Sequence, residues 1–183
     1  LHPDAVQIYQ QAYAQGRGVL FGTIHLGNWE LMAAALAARG FPVHTVTAQS
    51  YHSPIHNDLA THRHRLGIQI YPPGRARQCV RRLKLGRAMT IFVDQNTDER
   101  GRTIEFFGRA THTPTTFERL LELSGAVPLF IWNVRQPNGR YLISVEAIPP
   151  HRPPLDWLTE RTEDLVRRYP TQWVWLHDRW ATR

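Results

Sequence analysis

The chain has a single cysteine, Cys79, among its 183 residues. That excludes an internal disulfide and is compatible with a reducing compartment. No run of eighteen apolar residues is present, so nothing reads as a membrane-spanning helix, and no signal-peptide pattern is visible. Ser124 and Cys79 lack the local signatures of an activated nucleophile, since there is neither a Gly-x-Ser-x-Gly elbow nor a cysteine-protease block. No internal repeat, low-complexity tract or compositional boundary divides the chain, whose length suits one domain with a substantial core. Acidic residues are scarce, 15 against 22 Lys and Arg, for a formal net charge of +7 and a pI near 10.3. An anionic partner follows, with nucleic acid, a phosphorylated lipid surface and an acidic carrier protein all open. Hydrophobic residues at 42% and charged residues at 20% describe an ordinary globular protein.

What is present is concentrated in Gly18-Val-Leu-Phe-Gly-Thr-Ile-His-Leu-Gly-Asn-Trp-Glu30. Val19, Leu20, Phe21 and Ile24 form a short apolar run rich in strand formers, which predicts a buried strand stopping at His25. Leu26-Gly27 makes the turn, Asn28 is placed to cap a helix, and Glu30 falls in its first turn, where a carboxylate suits the helix dipole. The helix is expected to run to Gly40. An imidazole and a carboxylate thus meet at the carboxyl end of a strand, where open α/β sheets place ligands. His25 can take a proton near neutral pH, and Glu30 is the expected orienting acid. The plainer alternative is a structural pair bridging strand end and helix start.

Strands and helices alternate through the rest. Strands are predicted at Val43 to Thr47, Ile68 to Tyr71, Ala88 to Val93, Ile104 to Phe107, Val127 to Val134 and Tyr141 to Ala147. Helices are predicted from Pro3 toward Gly16, from Pro54 to Leu66, from Arg75 to Leu85, from Thr115 to Ser124 and from Leu155 to Tyr169. Pro72-Pro73-Gly74 forces a turn, Asn96 to Gly101 is polar and turn-like, and Pro137-Asn138-Gly139 makes a hairpin turn. The fold class is therefore α/β, a mixed central sheet flanked by helices. The closing stretch Trp173 to Trp180 alternates aromatic and polar residues, which favours a strand with one packed face over a base-stacking platform.

His25-Leu-Gly-Asn-Trp-Glu30 resembles the His-x4-Glu/Asp motif of glycerolipid-type acyltransferases, in the His-x-x-Asn-Trp-Glu form of the late acyltransferases of lipid A biosynthesis. Further blocks are similar in the same order: Asp94-Gln95 after a strand, Phe107-Gly108 with Ala110-Thr111, Leu120 to Pro128, and Pro170-Thr-Gln-Trp-Val-Trp-Leu-His-Asp-Arg179. The family's loop arginine matches Arg63 by spacing, with Arg65 close enough to compete. The resemblance implies a glycerolipid-acyltransferase-like fold and a single acyltransferase domain over residues 1–183. Such proteins usually carry an N-terminal membrane anchor, and a chain opening at Leu1 without Met is expected to be a trimmed piece lacking it. The implied setting is the cytoplasmic face of the bacterial inner membrane.

The implied reaction is acyl transfer from a thioester to a hydroxyl, with His25 as general base and Glu30 holding its tautomer. Asn28, Trp29, Arg63, Arg65, Asp94 and Gln95 are the expected substrate-binding residues. Arg63 or backbone N–H groups near Gly27 are candidate oxyanion donors. The implied donor is acyl carrier protein or acyl-coenzyme A, the acceptor a lipid A precursor or similar glycolipid, and no metal or cofactor is required. Other lipid acceptors stay open, namely a lysophospholipid, a mannolipid or an ornithine-type lipid. So does a non-catalytic basic module for nucleic acid or anionic membrane, although no nucleic-acid-binding module is recognisable and none is expected to bind. His52, His56, His62 and His64 have metal-like spacing but no cysteine or glutamate nearby, so solvated helix histidines are the better explanation. Arg75, Arg77, Arg81, Arg82, Lys84 and Arg87 make a basic helix, either a solvated face or a dock for an acidic carrier.

Overall fold

Strand β1 (Val19–Thr23) is buried along its whole length, and the fold is arranged on its two sides. Its residues alternate across the sheet as a strand's two-residue period requires. Val19 and Phe21 enter one apolar cluster with Ala5, Met32, Leu129 and Ile131, while Leu20 and Ile24 enter another with Leu83, Phe117, Phe130 and Leu155. Burying a side chain of this size is worth about 1.5–3 kcal/mol. Gly22 faces the second cluster, and a Cβ there would lie 3.0 Å from Leu158 and 3.5 Å from Phe117. The absent side chain lets helices approach the strand closely.

The computed structural model describes residues 1–46, 54–72, 74–96 and 101–181, with positions 54–57 described in backbone only. Thr47, His52, Pro73 and residues 97–100 therefore lie outside it, as does the side chain of His56. Besides β1, the strands are β2 (His44–Val46), β3 (Gln69–Tyr71), β4 (Ala88–Phe92), β5 (Gly101–Phe106), β6 (Arg109–Pro114), β7 (Val127–Arg135) and β8 (Tyr141–Ala147). The helices are α1 (Pro3–Tyr13), α2 (Trp29–Ala37), α3 (Pro54–Arg65), α4 (Ala76–Lys84), α5 (Thr116–Ser124) and α6 (Pro154–Arg168).

The six-stranded sheet has the order β3-β2-β4-β1-β7-β8. All neighbours pair in parallel except β7 with β8, the expected hairpin. This is the mixed α/β sheet flanked by helices read from the sequence. Helices α1 and α2 cover the face carrying Phe21, and α5 and α6 cover the other.

Two predicted elements differ from the structure. The strand ending near Phe107 is half of a separate hairpin, β5 with β6, in which Phe106 faces Arg109 across a two-residue turn. Phe107 and Gly108 both have positive φ, at 53° and 72°, the geometry that suits tight hairpins. A phenylalanine at such a position gives no turn signal in sequence. The Trp173 to Trp180 stretch makes only an isolated bridge to Leu26 and then turns, after a 3-10 turn at Pro170–Gln172. Its indole N–H groups find separate acceptors: Trp173 on Asp94, Trp175 on the Pro170 carbonyl, Trp180 on the Phe106 carbonyl.

Candidate active site

The strand-to-helix turn after β1 is built as its residues dictate. Asn28 caps α2 by accepting from the Leu31 N–H at 2.9 Å. Gly27 has φ 68°, and a side chain there would run into the carbonyl of Asn133, so only glycine fits. Asn133 lies buried in β7. Its Oδ1 accepts from the Asn28 N–H at 2.9 Å and its Nδ2 donates to the Leu26 carbonyl at 3.4 Å. Sequence reasoning missed Asn133, although a lone amide inside a long apolar strand is a visible signal.

His25 and Asp94 meet because β1 and β4 are parallel neighbours with Thr23 opposite Phe92. Each residue stands two positions past that pair on its own strand. Asp94 Oδ1 lies 2.8 Å from His25 Nδ1, and Oδ2 accepts the His25 backbone N–H at 2.7 Å. The Trp173 indole N–H donates to the same Oδ2 at 2.9 Å. Asp94 is only 4% exposed. Burial pushes its carboxyl pKa up, but the hydrogen bonds and charge of His25, with the bond from Trp173, outweigh burial and hold it below the usual carboxylate value. The imidazole stacks on Phe92 at 4.0 Å and meets Trp29 edge-on at 4.8 Å.

The carboxylate on the imidazole is thus Asp94, and the expected pairing with Glu30 is corrected. Glu30 is bound by Arg63 of α3, through Nε at 2.9 Å and also through Nη2. The reason is position: Glu30 starts α2 and faces α3, whereas Asp94 leaves the strand beside β1. Of the two competing arginines, Arg63 binds Glu30 and lines the cavity beside the imidazole, and Arg65 is exposed. Two of the backbone donors near Gly27 are engaged, Gly27 N–H by the Gln172 carbonyl and Asn28 N–H by Asn133. Arg63, the other oxyanion candidate, lines that cavity.

Beside the imidazole opens a cavity of about 500 Å³, within the usual size range for ligand sites. His25, Trp29, Glu30, Arg63, Gln95 and Asn96 line it near the carboxyl ends of the strands. Val6, Tyr9, Leu36, Phe41, Val43 and Ile68 line it where α1 and the starts of β2 and β3 lie. The space runs along the sheet beneath α1 and α2 and is mostly apolar beyond its polar mouth. Asn28 and Asp94 do not border it; they act on the turn and on His25.

The closing segment adds further groups near the site. His177 Nε2 accepts from the Asn96 N–H at 3.0 Å, and burial lowers its pKa although Asp94 opposes the shift. Arg179 is 1% exposed and donates to Thr111 at 2.9 Å and Thr113 at 2.6 Å, which ties down β6. Burial pulls its pKa down to about 10, so it stays charged at neutral pH.

The basic helix lies elsewhere. Arg82 and Arg87 are close enough to lower the pKa of His44, after its burial. His44 begins β2, which runs parallel to β4 and β1, so the last turn of α4 sits at the amino ends of these strands, whereas His25 stands at the carboxyl end of β1. The basic helix, whether a solvated face or a dock, thus lies away from the cavity mouth. Among the described residues no three His, Cys, Asp or Glu side chains converge as a metal site, and no helix is long and apolar enough to cross a membrane.

The chain belongs to the bacterial lipid A biosynthesis acyltransferases, whose family pattern it matches over residues 6–182. It is also similar to the phosphatidylinositol mannoside acyltransferase of Mycolicibacterium smegmatis, at 24% identity over 180 residues. That match covers 90% of this chain and 57% of the relative.

Proposed function

We propose that the chain transfers a fatty acyl group from a thioester to a hydroxyl of a glycolipid, with His25 as general base. The observation that carries this is the His25–Asp94 pair at the polar mouth of an elongated apolar cavity. The acyl chain lies under α1 and α2, which places the thioester carbonyl beside the imidazole. His25 Nε2 takes the acceptor's hydroxyl proton as that oxygen attacks the carbonyl carbon. The tetrahedral intermediate collapses, the C–S bond breaks, and the departing thiolate receives the proton from the imidazolium. No acyl-enzyme forms.

Asp94 keeps the proton on Nδ1, so that Nε2 is the base, and stabilises the imidazolium. General-base help of this kind is worth about 10²–10⁴ in rate. Arg63, held by Glu30 on the cavity wall, offers positive charge to the oxyanion, a role worth about 10²–10³. Trp29 and Gln95 border the mouth and contact the substrate there. The donor is an acyl carrier protein or acyl-coenzyme A. The acceptor is a lipid A precursor or a similar glycolipid, met at the cytoplasmic face of the inner membrane. A mannolipid acceptor is the second reading, favoured by the mannoside named for the mycobacterial relative.

The test is a panel of acceptors, including a lipid A precursor and a phosphatidylinositol mannoside, each given one acyl-thioester donor. Thiol release and product mass are followed. An acylated glycolipid is expected. No thiol release with any pair, together with salt-sensitive oligonucleotide binding, would favour the basic-module alternative.

A further inference from the structure

We infer that Trp173 is a positioning residue of this reaction, its indole N–H locking the Asp94 carboxylate in the orientation that serves His25. The inference rests on the general-base role proposed for His25.

Three donors fix the carboxylate. Oδ1 faces His25 Nδ1 at 2.8 Å, while Oδ2 receives the His25 backbone N–H at 2.7 Å and the indole N–H at 2.9 Å. Rotation of the carboxylate about its own axis would break all three. Trp173 bonds the oxygen that does not face the imidazole ring nitrogen, is 4% exposed, and does not border the cavity, so it acts on substrate only through Asp94.

The backbone around Trp173 is tied to both loops that carry the pair. Gly27 N–H donates to the Gln172 carbonyl at 2.9 Å, and Val174 N–H donates to the His25 carbonyl at 3.0 Å. Four residues on, His177 accepts from the Asn96 N–H just after Asp94. The segment therefore joins the end of β1 to the end of β4 across 69 positions of sequence separation. A buried indole N–H needs some acceptor, and simple satisfaction would be enough to explain one bond. The choice of a buried carboxylate already serving the imidazole makes the bond consequential, because deleting it changes that carboxylate's charge and aim.

Among the described residues, the charged or titratable groups that interact with Asp94 besides His25 and Trp173 are His177 and Arg179. Glu30 and Arg63 form the pair at the cavity mouth. All four are retained in the test variants, so a displaced pH profile reports on Trp173 itself.

The experiment replaces Trp173 with β-(3-benzothienyl)alanine, which keeps the fused-ring shape and puts sulfur in place of the N–H. Trp173→Phe is made in parallel, and His25→Ala serves as control. Thiol release gives kcat, KM and their pH dependence, with thermal melting as a check on folding. The expected result for both Trp173 variants is a kcat lower by about tenfold or more. KM should stay within about twofold, and the acid limb of the kcat profile should move up by about one pH unit. An unchanged rate and limb in the analogue, with His25→Ala inactive, would reduce Trp173 to packing. Melting of both variants at the assay temperature would make the bond a folding contact and also overturn the inference. Near-normal activity of His25→Ala would instead refute the base assignment, whatever Trp173 does.

Discussion

Asp94→Asn is the substitution that most sharply tests which carboxylate serves His25. It preserves volume and removes one acceptor. Oδ2 accepts from two donors, the His25 backbone and the Trp173 indole, so the retained amide oxygen is expected at that place. The new NH2 then faces His25 Nδ1 across the 2.8 Å now bridged by Oδ1. Two donors cannot share that contact, so the imidazole adopts the tautomer with its proton on Nε2, the nitrogen that must accept one. The imidazolium also loses its buried counter-charge. An analogous change in a serine-protease triad costs about 10⁴ in kcat, or about 5.4 kcal/mol of transition-state stabilisation. The assay is thiol release under saturating acceptor, with melting temperature and circular dichroism confirming the fold. A loss under about tenfold for Asp94→Asn, beside a loss near 10⁴ for Glu30→Gln, would refute the assignment and return the orienting role to Glu30.

The other predictions follow from the same contacts. His25→Ala should lower turnover at least about a hundredfold, and near-normal thiol release from a folded variant would remove it as the base. Glu30→Gln should weaken catalysis through Arg63, so its loss should largely persist on top of Asp94→Asn; a double variant no worse than Asp94→Asn alone would mean both act through His25. Asn133→Ala leaves the Asn28 N–H without its partner and should lower stability by about 1–3 kcal/mol in a denaturant titration, with an unchanged midpoint speaking against that role. Ala33→Phe projects into the cavity and should shift donor preference toward shorter acyl chains; an unaltered chain-length profile would place the acyl group elsewhere. Asp94 is held below its unfolded value. Its stabilising contribution is therefore complete above the usual carboxylate range and is lost as pH falls through the lower folded value. Stability of Asp94→Asn should accordingly fall less over that acid interval than that of the parent, as followed by melting temperature against pH.

Much of the local structure was legible in residues close together in the chain. The apolar run before His25, the cap at Asn28 and the acid in the first turn of α2 are short-range signals, and strand, turn and helix all form there. The alternation of strand and helix sufficed for a mixed sheet with helices on both faces, because βα crossovers leave few other arrangements. Spacing within one motif was a poor guide to partnership. His25 and Glu30 are five residues apart, yet the turn at Gly27 sends Glu30 toward Arg63. Asp94 reaches His25 only because β4 was laid beside β1, a choice made by packing of distant apolar strands. The partners of Trp173 and Asn133 could not be read for the same reason, since a buried donor's meaning lies in the acceptor the fold brings to it. The hairpin at Phe107 was missed because its positive φ is imposed from outside: Glu163 of α6 takes the Phe107 N–H at 2.8 Å, and Arg167 lies 4.8 Å from its ring. Sequence by itself determined most strand and helix segments, β6 and the closing stretch excepted, and where a histidine stands at a strand end. Only tertiary structure decided which carboxylate serves it, because register between parallel strands is a long-range property of the core.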